Sequence, residues 1–122
     1  MKRVQAETLN SLEDYRIVEV ETPRPGPGEA LIRIAACGVG YVDALWALGR
    51  YQEKPPLPHT PGQEVAGEIE AIGEGVSGLA VGDSVLARVW GGFAERAVAA
   101  AANVERIPAA LGFAEAADFR VN

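Results

Sequence analysis

The chain carries one cysteine, one histidine and one methionine in 122 residues. With Cys37 alone, no disulfide can form within the chain. The single histidine, His59, sits between Pro58 and Thr60 on an expected loop, which leaves no Ser/His/Asp nucleophile arrangement to argue. No apolar run approaches the roughly 20 residues that a membrane-spanning helix needs. The opening MKRVQAETLN lacks the apolar core of a secretion signal. Basic side chains are in the minority, 11 against 17 acidic ones, for a net charge of -6. That balance opposes nucleic acid or an anionic membrane as partner. A soluble, cytoplasmic protein is the expectation.

What is present points to a β-rich domain. A chain of 122 residues is one domain, able to bury roughly two-thirds of its unfolded surface. Fourteen glycines and eight prolines imply many turns, which suits strands more than helices. The organising stretch is Leu57 to Gly73. Pro58 and Pro61 stiffen its approach, and Gly62 marks a turn. Val65, Gly67, Ile69 and Ala71 then alternate with Glu64, Glu68 and Glu70, the period of a strand with one buried and one acidic face.

Other strands are expected before and after it. The first ten residues suit a short edge strand, and Tyr15 to Glu21 a clearer one, with β-branched Ile17 and Val18. Leu31 to Ala36 is apolar on both sides, which predicts a strand covered on both faces with Arg33 at an end or edge. Val85 to Val89, Phe93 to Ala101 and Val104 to Ile107 complete the set. Tyr41 to Leu48 has a helical stripe of Val42, Leu45 and Trp46, with Gly49 as its stop. Phe113, Ala116, Ala117 and Arg120 repeat helical spacing near the end.

Gly73-Glu74-Gly75-Val76-Ser77-Gly78 spells G-x-G-x-x-G after a predicted strand. A dinucleotide site needs a helix to begin there, so that its first amides meet the pyrophosphate. Gly82-Asp83 and another strand follow instead, so a turn is expected.

Four motifs in order resemble the medium-chain dehydrogenase/reductase superfamily, in its zinc-free quinone oxidoreductase branch of zeta-crystallin relatives. They are Ala36-Cys37-Gly38-Val39-Gly40 with Asp43 and Gly49-Arg50-Tyr51, then Pro61-Gly62-Gln63-Glu64 leading into Val65 to Ile69. Val81-Gly82-Asp83-Ser84-Val85 and Gly91-Gly92-Phe93-Ala94-Glu95 complete the set. The resemblance runs from about Val4 to Asn122. It implies a mainly β, GroES-like partly open barrel with short helices over residues 1–111. Residues 112–122 would begin the helix leading to a Rossmann nucleotide-binding domain that lies outside the chain.

The resemblance also implies function: hydride transfer from NADPH to a quinone or enone, with NADP(H) held mainly by that further domain. Tyr51 would be catalytic, Gly40 and Asp43 would face the cofactor, and Gln63 and Glu64 would line the acceptor cleft. Gly40 departs from the pattern, since zeta-crystallin relatives commonly carry Asn there. For three of these residues a plainer role stands beside the implied one. Tyr51 can cap a helix end, Asp43 can complement a helix dipole, and Glu64 can be a solvated strand-end carboxylate. Zinc-dependent members bind metal through a Cys at the place of Cys37 and a His after the PG turn. Here Gln63 takes the His place, and a neutral amide is a poor zinc ligand. No metal is therefore expected, and Cys37 is expected to be a small buried hydrophobe. A homo-oligomer is expected through the apolar surface that would face the further domain, to which Phe113 and Phe119 add. The alternative is a stand-alone GroES-like binding or assembly module without turnover, separable by the intact mass of the natively expressed protein.

Overall fold

The structure, a computed structural model, describes residues 1–9, 11–38, 57–108 and 112–119. Strands β1 (Lys2–Gln5) and β2 (Arg16–Glu19) form an antiparallel ribbon. Between them, a turn of 3-10 helix at Leu12–Asp14 is capped from both directions. The Ser11 hydroxyl accepts from the Glu13 amide, and the Asp14 carboxylate accepts from the Ser11 amide. Two amides that a helix start would leave orphaned are thereby satisfied.

A second, five-stranded antiparallel sheet contains β3 (Glu29–Cys37), β4 (Glu64–Ile72), β5 (Ser84–Arg88), β6 (Arg96–Ala100) and β7 (Val104–Arg106). Their order is β6-β3-β4-β5-β7. The sheet curls into a half-barrel, and the mainly β, GroES-like class expected from the sequence is what the chain adopts. The short helix α1 (Phe113–Phe119) packs against β3 and β4. The helix expected at Tyr41 to Leu48 lies outside the described residues.

One face of the sheet supplies the core. Ile32, Val65, Ile69, Val85, Ala87 and Val89 pack there with Ala97, Ala99 and Val104. Each of the large aliphatic chains fully buried, Ile32, Ile69, Val65 and Val85, contributes about 1.5–3 kcal/mol relative to exposure. On the other face α1 sets Ala117 on Ala66, with Ala36, Ile107 and Phe113 around them.

Two expectations need correction. Arg33 is at neither an end nor an edge: it is mid-way along β3, a strand flanked by β4 and β6. It is tolerated because its side of the sheet is open there, and its guanidinium meets Glu68 at 2.8 Å. Glu70 on the same strand as Glu68 meets Arg96 at 2.9 Å, so this acidic face is lined by cross-strand ion pairs. The run Phe93 to Ala101 is also not one strand in one sheet. Ala94 bridges Arg3 and the Glu95 amide donates to the Lys2 carbonyl, whereas Arg96 onward pairs with β3. The chain passes from the ribbon to the sheet at Glu95.

The glycine-rich stretch from Gly73 to Gly82 is a turn between β4 and β5. Gly75, Gly78 and Gly82 have φ of 81°, 80° and 94°, left-handed values that suit glycine. β5 begins at Ser84 and no helix intervenes.

Candidate functional site

The sheet's antiparallel pairing gathers three segments at one end. Cys37 closes β3 and pairs with Val65 near the start of β4, which in turn pairs with Ala87 near the end of β5. The Pro61-Gly62-Gln63 segment is stitched to the Val89 to Phe93 loop by backbone bonds. Val89 donates to the Gln63 carbonyl at 2.8 Å, Gly92 to the Gly62 carbonyl at 2.9 Å, and Phe93 to the Pro61 carbonyl at 2.9 Å. The Gly38 amide donates to the Glu64 carbonyl at 2.8 Å. Cys37, Gln63 and Glu64 are thus brought together by main chain. Gly40, Asp43 and Tyr51 lie outside the described residues.

The Cys37 sulfur explains two of the motif glycines. A Cβ added at either Gly62 or Gly92 would lie 2.9 Å from Sγ, well inside contact distance. The thiol is half-buried, packs on the core and approaches the Gly38 carbonyl at 3.5 Å. These contacts are with backbone and carbon. Among the described residues no three His, Cys, Asp or Glu side chains are grouped to hold a metal. Zinc wants thiolate, imidazole or carboxylate ligands, and among the described residues at this end of the sheet Cys37 and Glu64 are the ones of those types. Nor do the described residues offer a cradle for the pyrophosphate of NADPH, because the G-x-G-x-x-G stretch leads into β5 and not into a helix.

Glu64 differs from the solvated acid envisaged. Its side chain is 12% exposed and lies 3.7 Å from the Arg88 guanidinium, itself 61% exposed. His59 differs as well. It is 6% exposed, not a plain loop residue. Its amide and carbonyl pair with Ala6 at 2.9 and 3.0 Å, and its ring meets Tyr15 edge-on at 6.1 Å. No local signal marks this burial, because the residues that cover it come from the ribbon far away in sequence. Burial, with the neighbouring Asp14 charge, pushes the Tyr15 phenol above its ordinary value. The Lys2 amide, donating at 2.6 Å, holds the Glu95 carboxyl below the usual range, helped by the N-terminal ammonium and Arg96.

A half-barrel with a Pro-Gly entry to its central strand and the GGFAE turn beside it defines the class. Residues 26–109 match the Alcohol dehydrogenase GroES-like domain, and the chain belongs to that family. The quinone oxidoreductase of Lama guanicoe is 46% identical over 101 residues, covering 81% of this chain and 31% of that protein. The crystal structure of human synaptic vesicle membrane protein VAT-1 homolog-like protein superposes with a TM-score of 0.94 at 34% identity. It covers 98% of this chain and 39% of the human one. A mycobacterial protein solved in complex with NADPH superposes at 0.84 with 31% identity, over 93% of this chain and 34% of its own. The resemblance to quinone oxidoreductases is therefore borne out, and the chain spans about a third of the length of such a relative. Among the described residues no helix is long and apolar enough to cross a membrane.

Proposed function

We propose that the chain is the catalytic β domain of a zinc-independent, NADPH-dependent quinone-type oxidoreductase. The acceptor is a quinone or a similar electron-poor enone, which takes up two electrons as hydride from NADPH and a proton to become the reduced product. NADPH binds mainly to a nucleotide-binding domain like the one that completes the relatives. The chain's own part is to hold the acceptor in a dry, shaped site. Tyr51 donates its phenolic hydrogen bond to the acceptor oxygen as charge develops there, Gly40 and Asp43 face the cofactor, and Gln63 and Glu64 line the cleft.

The observation that carries the zinc-independent reading is the lining of the Cys37 sulfur. A Cβ built on Gly62 or on Gly92 would lie 2.9 Å from it, and Gln63 stands in the sequence where zinc-dependent relatives carry the ligating His. Metal analysis of the purified protein after dialysis is expected to find no stoichiometric zinc. A full equivalent would overturn the reading and make Cys37 a ligand. The redox reading is tested on the natively expressed polypeptide by following NADPH oxidation with 9,10-phenanthrenequinone, and absence of turnover overturns it.

A further inference from the structure

Trp90 is the large side chain that this function leaves unused. It keeps 70% of its surface exposed, yet its main chain is held on both sides. One residue before it, buried Val89 donates to Gln63, and two residues after it Gly92 donates to Gly62. Gly91, at a φ of 80°, turns the loop against Thr60. The indole is therefore mounted on a fixed backbone at the end of the sheet where Cys37, Gln63 and Glu64 gather. A fixed backbone matters, because only the indole's own rotamers are then left to order when it takes a ligand.

An indole presents an electron-rich face, and a quinone ring is electron-poor, so the two are complementary in an offset stack. We propose that Trp90 is the stacking platform for the planar acceptor ring and so determines specificity for aromatic over aliphatic acceptors. The inference rests on the quinone-type reading above. It differs from that reading in naming the residue that selects the ring.

The test uses the 122-residue chain and 9,10-phenanthrenequinone as probe, followed through the indole Nε1–H resonances. Saturable shifts of the Trp90 resonance are expected. Trp90→Leu, which keeps apolar bulk without a π face, is expected to bind about 3- to 10-fold more weakly. Trp90→Phe should stay within about 3-fold of the unmutated chain. Binding of 1,2-cyclohexanedione, which has no aromatic ring, should not respond to either substitution. Equal quinone affinity in Trp90→Leu overturns the platform and leaves the redox reading intact. No saturable quinone binding by the unmutated chain also overturns the platform, and the redox reading then stands or falls on its own NADPH oxidation assay.

Discussion

Gly67 lies where β3 and β4 come unusually close. A Cβ at this position would sit 2.0 Å from the Arg33 carbonyl oxygen, next to the register shift between Ile34 and Ala36. The obstacle is backbone, so it cannot swing away as a side-chain tip would. Gly67→Ala is expected to lose about 1–3 kcal/mol of stability or more, measured by urea unfolding. An unchanged midpoint would mean that the two strands do not approach this closely. Glu95 gives a pH signature instead. Its folded-state pKa is lowered, so its contribution is present above the ordinary value of 4.5 and fades as pH falls through the lower folded value. Glu95→Gln should flatten that acid-side decline in a series of melts below pH 5, and an unaltered slope would remove Glu95 as its source.

Helix α1 is too short to persist without support, and its support is the contact of Ala117 with Ala66. Both positions are filled by the smallest side chain that still packs. Ala117→Leu is expected to overfill that contact and lower stability by about 1–3 kcal/mol, seen as a lower Tm with loss of helical ellipticity. An unchanged melt would show that α1 does not rest on β4. The strand β4 was readable from its alternation of Val65, Gly67 and Ile69 with acids, and the turn after it from its glycines. The position of Arg33 is not legible in the same way, because an apolar run does not say which neighbour neutralises a charge, and the neighbour is Glu68 on another strand. The same limit hid His59 under Ala6 and Tyr15, and split the run at Glu95 between two sheets. The family motifs located Gln63 and Glu64, yet the partial burial of Glu64 depends on what the folded chain lays over it.

The molecule as a whole lacks a dinucleotide cradle among its described residues, since the Gly73 to Gly78 stretch closes a turn. NADPH fluorescence titrated with this chain is therefore expected to show no saturable binding at micromolar concentrations, and micromolar affinity would overturn the assignment of cofactor binding to a further domain. Phe113, expected from the sequence to add apolar surface, is instead half-buried against Ala66 and Ala117; self-association is checked by sedimentation across concentrations, where a strict monomer would remove it. The ribbon has a consequence for how the chain is made. β1 meets β2 early, but its other edge meets Phe93 and Glu95, with the Val4 amide donating to the Phe93 carbonyl at 2.8 Å. At about 5–20 residues per second of synthesis, that edge waits on the order of 5–20 s for its partner to emerge. Contacts of such long sequence separation are slow to form. β1 is thus made well before the partner that seals this edge, and a nascent chain halted before Phe93 would present the edge to whatever lies nearby.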